Sequence, residues 1–311
     1  MSMAGQARAE RFRSSPWFRF VWIAPIALVI VVIGVLLARW LRENALHEFI
    51  QTNPGQGTLP KWAPVGFPAW LNWSHALNAF FMLFIIRSGI QVRYTKRPQA
   101  HFIRKTTGLM GVLGTNPKRI SLELWLHLVF DTLFVLNGVV FYVLIFSTGQ
   151  WTRIVPTNWD VFPNAVSAVV QYASMDWPTE EGWVNYNGAQ LLSYFFVVFL
   201  LAPAALLTGL RMSPAYPKRK RLEKALPIEV ARKAHWPIMV IFLVFIALHV
   251  LLVLTTGALR NLNHMYAAND TQSWVGAIVF GVSALLMAAA WIGAQPFVLR
   301  SLAGTMGKVG R

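Results

Sequence analysis

The chain has 311 residues, 56% of them hydrophobic and only 13% charged, where a soluble domain carries about 25% charged residues. The net charge of +16 does not point to nucleic acid, because the basic residues sit in short segments between long apolar runs and no aromatic-plus-basic module accompanies them. The absence of cysteine excludes disulfides, cysteine-ligated iron–sulfur clusters, thiolate zinc and covalent c-type haem. Any redox centre here must use histidine, methionine or oxygen ligands.

In chain order, Arg8, Arg11 and Arg13 precede, and Arg19 falls at the start of, an apolar run from about Trp17 to Trp40. That run is longer than a signal-peptide core and no A-x-A site follows it, so it reads as a retained helix. Six runs approach the ~20 residues a membrane helix needs: 18–41, 68–90, 121–147, 188–211, 235–258 and 273–297. The expected fold class is all-α, a polytopic membrane helical bundle. Lipid surrounds it, and many of the 14 tryptophans mark the ends of the runs. Three parts follow: 1–67, with the extra N-terminal span; 68–258, a four-helix core; and 259–311, with the last span.

Lysine and arginine set the direction. The N-terminal tail through Arg19, the stretches 87–119 and 211–233 and the C-terminal tail hold 23 of them, against 5 in 39–67, 148–187 and 259–272. Both termini are therefore expected on the cytoplasmic side. The long 148–187 connection is acidic by contrast, with Asp160, Asp176, Glu180 and Glu181, and carries Trp151, Trp159, Trp177 and Trp183. Its stretch Phe162 to Tyr172 suits a short helix on the membrane surface, as a docking face or as a cap over the bundle.

Seven histidines are present. His47, His101 and His264 fall in connections or helix ends and are expected to be solvated. His75, His127, His235 and His249 fall in spans two, three and five, where ionisable side chains are costly and usually functional. His235 and His249 are fourteen residues apart, which puts them within about 40° of one helix face and ~21 Å apart along it. With the direction given by the charges, His127 shares the inner level with His235, and His75 the outer level with His249. Two histidines per level suit bis-histidine haem, with four porphyrin nitrogens completing each iron, better than zinc or copper, which gather three or four protein ligands at one point. The small residues Ser74, Ala76, Ala79, Gly138, Ala234 and Ala247 leave room for a macrocycle or for plain helix packing. Asp131, four residues after His127, shares its face; it could bond a ligand histidine, serve protons or a quinone, or be a neutral acid bonded to a neighbouring helix. Glu123 lies nearer the interface and reads as structural. Arg87, Arg93, Arg211, Arg232 and Lys233 lie at inner span ends, where topology alone accounts for them.

Three segments carry a resemblance: LNWSHALNAFFMLFIIRSGIQV (71–92), LWLHLVFDTLFVLNGVVFYVLIFSTGQWTRIVP (124–156) and YNGAQLLSYFFVVFLLAPAALLTGLRMSP (186–214), the last followed by the His235/His249 helix. They resemble the di-haem cytochrome b subunits of bacterial respiratory oxidoreductases, of the thiosulfate reductase cytochrome b type, related to those of formate dehydrogenase and nickel–iron hydrogenase. The likeness covers about 68–258. An extra span precedes the core, which inverts it relative to the formate dehydrogenase arrangement. The resemblance implies two haem b with these four histidines as axial ligands. It also implies a place in the bacterial cytoplasmic membrane, a soluble molybdopterin oxidoreductase as partner, and quinone as the diffusible electron carrier. Two other readings stay open: a stand-alone haem-b oxidoreductase acting on superoxide or a ferric chelate, and a haem-free transporter whose histidines join helices or relay protons.

Overall fold

The computed structural model describes residues 18–107, 116–177, 181–216 and 220–310. Arg8, Arg11, Arg13 and Glu180 lie outside them, and of Arg19 only the backbone is described. Among the described residues six helices are long and apolar enough to cross a membrane: Val21–Ala45, Ala69–Tyr94, Leu122–Ser147, Gly188–Met212, Ile228–Thr255 and Val275–Gly293. At most 17% of any span's apolar window is buried by the protein itself, so these surfaces need lipid around them. The chain is a helical membrane bundle.

Helix α1 is Phe18–Trp40, continued by a wide π-turn Leu41–Ala45, and α2 is His47–Thr52. Helix α3, Ala69–Tyr94, opens on Pro68, whose φ of −68° is already set for a helix start. Strands β1, His101–Arg104, and β2, Ile120–Ser121, lead into α4, Leu122–Ser147. Ser121 caps α4 by accepting the Leu124 N–H at 3.1 Å. A short turn, Gln150–Arg153, precedes α5, Val161–Ala173, the helix expected over 162–172.

The fourth span is α6, Gly188–Phe195, a π-turn Phe196–Leu201, and α7, Ala202–Met212. Pro203 explains the widened turn: it lacks the N–H that would continue the ladder, so the helix shifts register ahead of it. The Val198 carbonyl in that turn accepts the Tyr142 hydroxyl at 2.5 Å. After α8, Lys220–Ala225, comes α9, Ile228–Thr255. It starts seven residues before the expected 235, because Pro227 and the amphipathic turn with Glu229 begin a helix that hydropathy does not register. The segment 259–272, expected as a connection, contains helix α10, Ala258–Tyr266. The sixth span, α11, is Val275–Gly293, shorter than the expected 273–297, because Pro296 starts a separate helix α12, Pro296–Met306. Gln295 before it is extended, with ψ 155°.

Strand β3, Gly307–Gly310, pairs antiparallel with β1, giving a small sheet of order β2-β1-β3. This sheet is an addition to the all-helical expectation.

The chain divides into two compact units. The first comprises Met1–Thr58, Thr157–Glu180 and Tyr186–Leu192. In it Arg39 donates to the Ser174 carbonyl at 3.0 Å and Arg42 pairs with Asp176 at 2.7 Å. Asp160 accepts the Thr58 N–H at 2.8 Å. Two of the acidic residues of the long connection are thus engaged within this unit.

The second comprises Leu59–Pro156, Glu181–Asn185 and Ser193–Arg311. Its apolar core lies at the sheet end, where Phe84, Phe102, Leu122, Trp125, Leu126, Ala294 and Ala303 are buried together. Phe84 and Phe130 stack at 4.5 Å and join α3 to α4. At the other end Arg153, only 2% exposed, donates to the carbonyls of Gly66 at 2.6 Å and Gly182 at 2.5 Å, its guanidinium 4.6 Å above the Phe67 ring. Gly66 has φ +85° and any Cβ there would meet the Trp183 ring, so both backbone and packing demand glycine.

Candidate functional site

Three helices of the second unit bring four histidines together in two pairs. The His75 and His249 ring centroids are 6.2 Å apart, those of His127 and His235 6.4 Å. Helix α9 carries one member of each pair, fourteen residues apart, so the levels are separated by ~21 Å of helix. Helix α3 spans the same distance in the opposite sense: His75 is at one level, and Gly89, fourteen residues on, faces His127 at the other.

The His127/His235 level is built around hydroxyls. Ser88 Oγ donates to the Phe84 carbonyl at 2.6 Å and lies 3.0 Å from His127 Nδ1, which is also 3.1 Å from the Ile85 carbonyl. A carbonyl can only accept, so Nδ1 carries the proton and Nε2 is left bare. Thr208 repeats the device. Its Oγ1 donates to the Ala204 carbonyl at 2.7 Å and accepts from His235 Nδ1 at 2.8 Å. Each hydroxyl precedes a glycine whose Cβ, were there one, would lie 3.3 Å from the histidine Cε1, at Gly89 for His127 and at Gly209 for His235. Ser-Gly and Thr-Gly therefore supply an acceptor and clearance at once.

The His75/His249 level is aromatic. Phe245 stacks on His249 at 5.8 Å with an 11° interplanar angle, and Tyr194 meets the same ring edge-on at 6.2 Å. Tyr266 meets His75 edge-on at 6.3 Å. The His75 Nδ1 is buried with no hydrogen-bond partner. Between the levels Asn137 Nδ2 donates to Asn78 Oδ1 at 2.7 Å and the Ser74 carbonyl at 3.0 Å, a polar tie between α4 and α3.

These residues fit haem. A metal–imidazole bond of about 2 Å on either side of one iron puts two trans ring centroids roughly 6 Å apart, close to both observed separations. Among the described residues no three His, Cys, Asp or Glu gather as a metal site.

Asp131 Oδ2 lies 3.6 Å from His127 Nε2, too far for a hydrogen bond; Ser88 and Ile85, not Asp131, hold this ring. Among the cations at the span ends, Arg87 donates to the Trp291 and Ala294 carbonyls at 2.5 and 2.9 Å. Arg93 lies 4.1 Å over the Trp236 ring, and Arg211 Nε donates to the Leu226 carbonyl at 2.6 Å. Arg232 and Lys233 are exposed. Glu123 stands in the first turn of α4 with Oε2 buried.

The other three histidines differ among themselves. His47 is exposed and bonds Gln51 at 2.8 Å. His101 is in β1, 3.2 Å from an Arg119 nitrogen. His264, expected to be solvated, is instead 5% exposed on α10, and the reason is packing from distant segments. Its ring stacks on Phe67 at 5.6 Å and lies 5.3 Å from the Trp183 ring. Its Nε2 meets Asp270 Oδ1 at 2.7 Å, and Arg260 holds the same carboxylate at 2.7 and 3.0 Å. The Arg260 guanidinium, helped by His264, keeps the Asp270 carboxyl down at about 2. Burial pushes His264 below its ordinary value although Asp270 pulls the other way.

Sequence reasoning missed Ser88 and Thr208 as partners of the ring nitrogens. The available signal was the hydroxyl-glycine pair near the end of two spans, 88–89 and 208–209. Comparison with curated proteins and with solved structures finds no match. Residues 66–268 match the family model described as prokaryotic cytochrome b561, a stretch that holds all four paired histidines and both hydroxyl-glycine pairs, and the chain belongs to that family of membrane cytochromes that bind haem b and transfer electrons.

Proposed function

We propose that the chain is the membrane subunit of a bacterial respiratory oxidoreductase, of the thiosulfate reductase cytochrome b type, in the cytoplasmic membrane with both termini inside. It holds two haem b, one between His75 and His249 toward the outside and one between His127 and His235 toward the inside. The observation that carries this is the double pairing at 6.2 and 6.4 Å on one fourteen-residue interval of α9.

Haem iron supplies a one-electron change between its ferric and ferrous forms when bound. The chain supplies the rest. Four imidazoles ligate, Ser88 and Thr208 fix two of them in the Nε2-ligating tautomer, and Phe245, Tyr194 and Tyr266 exclude water at the other level. A soluble molybdopterin subunit acting on a small, for instance sulfur-containing, substrate is the electron partner, and quinone in the bilayer is the second. Quinone chemistry moves protons, and Asp131 is the carboxyl this reading assigns to proton movement or quinone contact. Asp131→Asn is expected to slow quinol-linked haem reduction while leaving haem content unchanged.

The test is a reduced-minus-oxidised visible spectrum of the detergent-purified protein with pyridine haemochrome quantification. About two b haems per chain is the expected result. One haem breaks one of the two pairs. None, with haem available during expression, overturns the electron-transfer assignment and favours the transporter.

A further inference from the structure

The two histidine levels are furnished differently. At one, both Nδ1 atoms have acceptors: Ser88 Oγ at 3.0 Å and the Ile85 carbonyl at 3.1 Å for His127, and Thr208 Oγ1 at 2.8 Å for His235. At the other, the buried His75 Nδ1 has none, and His249 is held by ring contacts with Phe245, Tyr194 and His75. The hydroxyls are not free to turn away. Ser88 also bonds the Phe84 and Ile85 carbonyls and Thr208 those of Ala204 and Ala205, at 2.6–3.2 Å. These anchors aim the oxygen lone pairs at the rings.

An imidazole whose Nδ1–H is given to an acceptor becomes a more basic ligand. A more basic axial ligand stabilises ferric over ferrous iron, so its haem is harder to reduce; second-shell hydrogen bonding is one of the recognised levers on haem potential. The Asp131 carboxyl, 3.6 Å from His127 Nε2, acts in the same direction when charged. The exposed Arg232 and Lys233, beside His235 in sequence, act in the opposite one, but through water and lipid headgroups, where charge is screened.

We infer that Ser88 and Thr208 are positioning residues that set the redox order of the two sites, making the His127/His235 haem the lower in potential and the His75/His249 haem the higher. Electrons at equilibrium then collect at the His75/His249 level. The inference rests on the two-haem assignment proposed above and adds to it an order, with the residues that impose it.

The experiment is a potentiometric titration of the purified holoprotein, followed in the visible α-band and by low-temperature electron paramagnetic resonance of the oxidised form. His249→Ala identifies which midpoint belongs to the His127/His235 site. Wild type is expected to titrate in two steps with that site the lower. In the double variant Ser88→Ala/Thr208→Val the lower midpoint rises by roughly a threefold to tenfold change in the one-electron equilibrium, tenfold being about 59 mV, and the upper one stays put. Ser88→Thr and Thr208→Ser, which keep the hydroxyls, restore the wild-type value and resonance signal. Should the double variant lose its haem, Thr208→Val alone is read, since His127 keeps both of its acceptors. Two haems with unmoved midpoints, equal movement of both, or the opposite order in wild type overturns the inference and leaves the two-haem assignment standing. Fewer than two haems in wild type overturns that assignment, and this inference falls with it.

Discussion

His264 is buried and His75 half-buried with its Nδ1 closed off from solvent, and the contrast between them separates a structural histidine from a candidate ligand. His264 is closed off: Asp270 takes its Nε2 at 2.7 Å, and Phe67 and Trp183 cover its ring. His75 keeps a buried nitrogen without a partner and faces a second histidine at 6.2 Å. Burial alone does not mark function; leftover coordination capacity opposite a like group does. Satisfied buried polar groups stabilise a fold, whereas unsatisfied ones cost free energy.

The sharpest way to break this contrast is to remove one histidine of each kind. His249→Ala is expected to lower haem content from about two to about one per chain by pyridine haemochrome. Loss of both haems would show that the levels assemble as one unit. His264→Leu is expected to keep both haems and lower thermal stability, by roughly 2 kcal/mol for a broken buried hydrogen bond. Arg153→Met, which leaves the Gly66 and Gly182 carbonyls without their donor, should also cost roughly 2 kcal/mol or more with the visible spectrum unchanged.

A smaller effect is set by pH. The Asp270 carboxyl is held at about 2, below its ordinary 3.8, so the folded state favours its charged form. That stability is fully present above about 4 and is lost as pH falls toward about 2. The protection of α10 amides against hydrogen exchange, relative to the intrinsic rate at each pH, is expected to fall over that window in wild type, and Asp270→Asn should show the lower protection already at neutral pH. The smallest expected change is that of Gly209→Ala: a methyl 3.3 Å from His235 Cε1 should shift the α-band of one haem slightly and leave the other alone.

Much of this was legible before the fold was known. Long apolar runs can only be spans, and a fourteen-residue interval on a helix returns to nearly the same face, so the membrane bundle and the histidine levels followed from composition and spacing. The sheet was not legible. Its strands are four, two and four residues long, and β3 has glycine at both ends, so no alternation announces it; its partner lies some two hundred residues away. The burial of His264 was hidden for the same reason, since Phe67 and Trp183 come from remote segments. Ser88 and Thr208 were hidden because a hydroxyl in an apolar helix ordinarily bonds back to its own ladder, and only the packed structure shows its second lone pair aimed at an imidazole.

Because His235 and His249 share one helix, Ile228–Thr255, their separation is set by the rise of a polypeptide rod, with Pro237 the one residue between them that breaks its hydrogen-bond ladder. A thinner or thicker bilayer can tilt that rod, as mismatch does to any membrane helix, yet both levels tilt together. Lipid composition can change how far each level lies from the water, but tilt alone leaves the distance between them untouched. Redox sites mounted this way would keep a distance set by the helix, with Pro237 as the place where the membrane's mechanical state could still alter it.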